Sequence, residues 1–184
     1  MDIKKKTRQY FGTDGVRDVA NEGMMTPEFA LSLGRAFVLF LNGLGVEHPH
    51  VAVGRDTRHS GAMVQSALAA GIMSAGGDVT DLGVIPTPGV SFTVANNSFD
   101  AGAVISASHN PYEYNGIKFL DRNGFKLTDD DELSIESLLS TKNDARPTHG
   151  AIGTLADGKG FCESYLVSLT GILCNIKSKH IPLV

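Results

Sequence analysis

Pro49-His50-Val51-Ala52-Val53-Gly54 is a short apolar run closed by glycine, and after a polar loop the helical spacing of Met63, Ala67, Ala70 and Ile72 spans residues 60–75. A strand that is apolar on both faces and leads into a helix points to a buried parallel sheet clad in helices. Gly76-Gly77 ends that helix, residues 78–82 read as a second strand, Pro86-Thr87-Pro88 opens another helix, and residues 101–106 form a further apolar run. Upstream, Phe29, Leu33, Ala36, Phe37, Phe40, Leu41 and Leu44 recur at helical spacing behind Thr26-Pro27, where threonine caps and proline fits the first turn. The βαβαβ alternation predicts an α/β fold: a mixed, mostly parallel sheet with helices on both faces.

Beyond this unit the period changes. A polar loop runs to Asn115, and Ile117-Lys118-Phe119-Leu120 and Phe125-Lys126-Leu127 read as short strands around Asn123-Gly124, a hairpin dipeptide that adds an antiparallel edge. Thr128-Asp129-Asp130-Asp131-Glu132 reads as the start of a helix to about residue 139. Consecutive aspartates on a first turn diverge, so they suit the helix macrodipole better than a metal. Residues 141–160 read as a connector, residues 161–173 as a helix, and His180-Ile181-Pro182-Leu183-Val184 as a strand just beginning. The expected division is residues 1–150 as one domain and 151–184 as a connector helix with the truncated start of a second.

The chain has 184 residues, 42% hydrophobic and 20% charged, with no tryptophan, which fits an ordinary globular domain. At this size a core buries roughly 70% of the surface the unfolded chain exposes, so folding requires neither disulfide nor metal. A net charge of −4 with scattered cations argues against nucleic acid, and Lys4, Lys5, Lys6 and Arg8 read as a solvated terminus. No apolar run reaches membrane-span length and no leader follows the lysines, so the expected location is the cytoplasm. Cys162 and Cys174 lack zinc-ligand spacing and read as small hydrophobes.

The chemistry concentrates in Ile105-Ser106-Ala107-Ser108-His109-Asn110-Pro111 and the following Tyr112-Glu113-Tyr114-Asn115-Gly116-Ile117-Lys118. At the C-terminal end of a strand, where open α/β sheets bind ligands, this loop offers a hydroxyl, an imidazole, two amides and an ammonium. Those groups suit acyl or phosphoryl transfer. A hydrolytic triad is disfavoured, because adjacent Ser and His side chains diverge and no G-x-S-x-G elbow is present. Phe11-Gly12-Thr13-Asp14-Gly15-Val16-Arg17 and Gly54-Arg55-Asp56-Thr57-Arg58-His59-Ser60-Gly61 both mix glycine with arginine, a combination that admits anions closely and binds them bidentately. Taken alone, Arg55, Asp56 and Arg58 read first as an ion-pair network holding loop to helix. Neither a P-loop nor a G-x-G-x-x-G is present.

Together these segments resemble the alpha-D-phosphohexomutase superfamily, and within it the phosphoglucosamine mutase branch. The resemblance runs from about Tyr10 through Leu139 and more loosely to the end, taking in Ile85-Pro86-Thr87-Pro88. It implies a four-domain enzyme whose other three domains follow Val184. It also implies that Ser108 carries a phosphoryl group, donates it to a hexosamine phosphate, and recovers one from the resulting bisphosphate, converting glucosamine 6-phosphate to glucosamine 1-phosphate for cell-wall precursors. By the same resemblance, Arg17 neutralises the Ser108 phosphate, Lys118 stabilises charge or acts as acid or base, and His109 positions or exchanges protons, with the identity of the base left open. Gly12, Thr13, Asp14, Arg55 and Asn110 are the implied phosphate- and substrate-binding residues. A Mg²⁺ ion is implied between the Ser108 phosphate and three aspartates of the second domain, a loop this chain lacks. The expected partners are a small sugar phosphate and the downstream domains, with no nucleic acid and no membrane; the uncovered surface is expected to favour self-association into a homo-oligomer. The chain alone is expected to be inactive. The alternatives are a glucose or mannose phosphate mutase, and a non-catalytic sugar-phosphate-binding module.

Overall fold

Thr26 Oγ1 accepts the Phe29 amide at 3.3 Å and Pro27 occupies the first turn, so α1 (Pro27–Gly43) starts where the capping chemistry requires. In this computed structural model, which describes residues 8–139 and 146–175, the elements that follow are β2 (His50–Arg55), α2 (Gly61–Ser74), β3 (Asp78–Val84), α3 (Thr87–Asn96) and β4 (Ala101–Ile105). In chain order they are preceded by β1 (Val16–Val19) and followed by β5 (Tyr114–Leu120), α4 (Asp129–Leu139), β6 (Leu155–Asp157) and α5 (Gly160–Asn175). Lys4, Lys5, Lys6, residues 140–145, the side chain of Cys174 and residues 180–184 lie outside the described residues.

The six strands form one sheet in the order β1-β5-β4-β2-β3-β6. β2 pairs in parallel with β3 and β4, and β3 with β6, whereas β5 runs antiparallel to both β4 and β1. Side chains alternate between two cores. Val51 and Val53 join the core built with α1, α2 and α4, while Ala52 between them joins Leu82, Val90, Val94 and Phe99 on the face covered by α3 and α5. All of β4 is buried, which is why it reads as an uninterrupted apolar run. Phe37 of α1 stacks on Phe119 of β5 with centroids 3.8 Å apart, fixing the antiparallel strand beneath the helix layer. No helix among the described residues is long and apolar enough to cross a membrane.

Three stretches differ from the sequence expectation. The outer antiparallel edge is β1, not a 125–127 strand; Val16–Val19 is half polar and only partly buried, so it carries little strand signal. Residues 125–127 form only a bridge to Leu120, because the Asp121 carboxylate accepts the amides of Asn123 and Phe125 and curls the chain locally. The expected connector contains β6, an exposed strand held by Asp78, whose carboxylate accepts both the amide and the hydroxyl of Thr154 at 2.7 Å. The α5 helix follows directly and packs Phe161 and Cys162 on the second core, with Phe161 edge-on to Phe99 at 5.5 Å.

The acidic start of α4 is a capping box: Thr128 Oγ1 accepts the Asp131 amide and Asp131 accepts the Thr128 amide. The buried members further along do other work. Glu132 pairs with Arg8 and Lys126, and Glu136 accepts the amides of Gln9, Tyr10 and Phe11, clamping the segment that leads into β1.

At the α1–α2 crossing the backbones touch through Gly34 and Gly71; a Cβ on Gly71 would overlap the Leu31 carbonyl. Gly71→Ala should therefore push the helices apart and cost about 1–3 kcal/mol. The check is urea unfolding at 25 °C, where an unchanged midpoint would contradict this packing.

Candidate functional site

The chain leaves β4 at Ile105 and turns back into β5 within nine residues, and that turn is built from small groups. Ala107 is fully buried, the Ser106 amide donates to Gly116 O at 3.0 Å, and the Asn110 amide donates to Ala107 O at 3.0 Å. Between them Ser108 adopts φ 55°, a left-handed backbone rare for a residue with a Cβ, and donates its amide to Ser106 Oγ at 3.0 Å. Its side chain is exposed, with Oγ 3.4 Å from His109 Nδ1.

Two cations face this serine from neighbouring strands. Arg17 stands opposite Gly116 in the β1–β5 register and Lys118 opposite Val104 in β4–β5. Gly15, with φ +81° and no space for a Cβ against Ile117 O, bends the preceding loop so that Asp14 reaches both. Lys118 Nζ lies 3.0 Å from Asp14 Oδ1, and Arg17 Nη2 pairs with Oδ2. Arg17 Nε is buried without a hydrogen-bond partner among the described residues, an unsatisfied donor on a residue that lines the recess. Burial raises the Asp14 pKa, but the hydrogen bond and charge of Lys118, then the charge and hydrogen bond of Arg17, outweigh it and hold the carboxyl below its ordinary value.

Asp14, Arg17, Ser106, Ser108 and Lys118 line a recess of about 70 Å³ together with Thr87 and Val104. It adjoins a cleft of about 600 Å³ walled by Gly12, Thr13, Gly15, His109, Tyr10 and Met24 as well as Asp14, Arg17 and Ser108. The structure thus gathers Ser108, His109, Arg17, Lys118, Asp14, Gly12 and Thr13. Arg55, at the end of β2, and Asn110, whose backbone carbonyl accepts from Arg58, line neither space.

Arg58, read in sequence first as part of an ion-pair network and otherwise as an anion binder, instead reaches the serine loop. It is held by Asp56 and donates to the carbonyls of Ser108, Asn110, Pro111 and Tyr114. Thr87, read in sequence as a helix opener within the Ile85–Pro88 segment of the resemblance, is not singled out there as a site residue, yet it lines the recess. A loop histidine so close to a hydroxyl, two cations and an anion-sized recess suit transfer of a phosphoryl group, whose charge they would balance. The residues do not by themselves fit a metal: among those described no group of three or more His, Cys, Asp or Glu could hold one, and both oxygens of Asp14 are engaged by cations.

Residues 8–146, which carry this strand-end serine and its paired cations, match the family description "Phosphoglucomutase/phosphomannomutase, alpha/beta/alpha domain I". The chain belongs to that family. It is 49% identical over 170 residues to the phosphoglucosamine mutase of Oceanobacillus iheyensis, covering 91% of this chain and 37% of the relative. To the phosphoglucosamine mutase of Streptococcus uberis it is 52% identical over 171 residues, covering 89% and 37%. A solved phosphoglucomutase/phosphomannomutase family protein from Burkholderia thailandensis superposes with a TM-score of 0.76 at 27% identity, covering 90% of this chain and 36% of that one. The chain therefore spans about 37% of the length of the curated relatives it matches.

Because Asp14 titrates below its ordinary value in the folded chain, its ion pairs stabilise the fold above that ordinary value and are lost as pH falls through the folded one. The side chain is 39% exposed, so the contribution is screened. Carboxyl NMR should show Asp14 titrating below 3.8, and Lys118→Ala should move the midpoint upward; an unmoved midpoint would contradict the bridge.

Proposed function

We propose that this chain is the phosphoserine-bearing domain of an enzyme that interconverts glucosamine 6-phosphate and glucosamine 1-phosphate. The observation that carries the reading is the convergence of the strained Ser108 with Arg17 and Lys118 around one recess. The phosphoglucosamine mutase relatives support the choice of sugar. Cytoplasmic synthesis of wall precursors is the corresponding role.

The phosphoryl group on Ser108 passes to the free hydroxyl of the sugar monophosphate. A P–O bond to the sugar oxygen forms as the Ser108 Oγ–P bond breaks, the sugar hydroxyl gives up its proton, and Oγ is reprotonated. The bisphosphate then turns over and returns its other phosphoryl group to Ser108 by the reverse exchange. Arg17 neutralises the charge on the equatorial oxygens with its guanidinium. Lys118 stabilises developing charge near the sugar oxygen, and His109, 3.4 Å from Oγ, is the group suited to exchange the proton there. Gly12 and Thr13 form the wall against which the sugar phosphate rests. Arg55 and Asn110, which line neither space, belong to the reading through the family resemblance alone. Mg²⁺ likewise belongs to it through the phosphate Ser108 would bear, with its other ligands outside the described residues. The chain alone is inactive in this reading, because it supplies one part of a shared site.

The test is phosphorus NMR with glucosamine 6-phosphate, Mg²⁺ and a bisphosphate primer, on this chain and on a chimera joining it to the remainder of the Oceanobacillus iheyensis relative. The chimera should form glucosamine 1-phosphate, the chain alone should not, and Ser108→Ala should slow the chimera by about 10³-fold or more. Turnover of glucose or mannose phosphates in preference moves the assignment to a sister mutase. Full activity of Ser108→Ala, or sugar-phosphate binding with no turnover by the chimera, overturns the mechanism.

A further inference from the structure

Arg58 sits between β2 and α2, outside both the recess and the cleft, with its side chain only 11% exposed. Every guanidinium donor is directed at protein. Nε donates to Asp56 Oδ2 at 3.1 Å, Nη1 to the carbonyls of Pro111 at 2.5 Å and Tyr114 at 3.0 Å, and Nη2 to those of Ser108 at 2.9 Å and Asn110 at 2.8 Å. An arginine has five N–H bonds in a planar fork, and here each has its own acceptor. Four of those acceptors are neutral carbonyls, three in the serine loop, including that of Ser108 itself, and one at Tyr114 where β5 begins.

The latch is anchored on the strand that carries the loop. The Asp56 amide donates to Ile105 O at 3.0 Å, at the end of β4, while Asp56 Oδ1 accepts the Arg58 amide at 3.0 Å. One carboxylate thus orients the guanidinium from two directions and supplies its countercharge. Next to it, buried Asn115 donates to Ser60 Oγ at 2.9 Å, tying the far end of the loop to the same β2–α2 connection.

We propose that Arg58 is a positioning residue for the reaction at Ser108. It holds the serine's left-handed backbone, and with it the hydroxyl, against Arg17 and Lys118, and touches neither substrate nor phosphate. The proposal rests on the reading of Ser108 as the phosphoryl carrier. Lysine cannot replace it, since three donors on a flexible stem cannot satisfy four carbonyls and a carboxylate lying in one fork.

Two measurements test this. In the chain itself, Arg58→Lys and Arg58→Ala should raise hydrogen exchange at the Asn110 and Tyr114 amides about tenfold or more, while β2 and β4 amides stay as they are. In the chimera, both variants should lower kcat about 100-fold with KM within about twofold, and added methylguanidinium should partly restore Arg58→Ala. Parental kcat in Arg58→Lys, unchanged loop exchange, or exchange that rises equally throughout the sheet would overturn the proposal. An inactive parental chimera would instead sink the functional reading, and the exchange experiment would still decide whether Arg58 holds the loop.

Discussion

The Asp14 carboxylate stands between Lys118 and Arg17, and without it two cations on adjacent strands would face each other across a partly dehydrated recess. Solvent screens these charges in part, yet the shared counterion is what lets the two cations sit on adjacent strands at one recess. The architecture around it follows. β1 must run antiparallel to β5 to set Arg17 beside Gly116, the loop before it must turn at Gly15, and the chain before that must be pinned. Glu136 supplies the pin by accepting consecutive backbone amides of residues 9–11. In the proposed function an arriving phosphate would meet cations already gathered, the preorganisation that phosphoryl transfer uses.

The second requirement is a rigid seat for the serine. A buried β4 with cores on both faces gives the strand no freedom, and the turn after it is fixed by its own amides and by the β2–α2 connection. Left-handed backbone at a non-glycine residue persists only where surroundings over-determine it. Here the surroundings include a guanidinium with every donor engaged. The parallel part of the sheet supplies the platform and the antiparallel part, β5 and β1, supplies the charges.

Much of this was legible in the sequence because it depends on local pattern. Thr26-Pro27 marked the start of α1, the apolar run at residues 49–54 marked β2, and the Gly76-Gly77 pair marked where α2 stops. The small residues after Ile105 marked the loop. The stretches that escaped depend on partners distant in sequence. Val16–Val19 becomes a strand only because β5 is there to pair with it, and Leu155–Asp157 only because Asp78 captures Thr154. The same holds for side chains. The acidic run of α4 reads as helix-start chemistry, yet Glu132 and Glu136 are buried and bind the N-terminal segment. Arg58 reads as half of an ion pair with Asp56, and it is that, but its four carbonyl acceptors have no signature in sequence because any residue can offer a carbonyl.

The central claim is that this recess is built to hold a phosphoryl group on Ser108, and it can be tested on this chain by itself. Phosphoserine installed at position 108 would be followed by phosphorus NMR across pH. A phosphoserine in water loses its second proton near pH 6, and cations close to it favour the dianion. The account predicts a midpoint clearly below about 6 that returns toward the free value in Arg17→Ala and Lys118→Ala. A midpoint at the free value in the parent chain, indifferent to both substitutions, would contradict it.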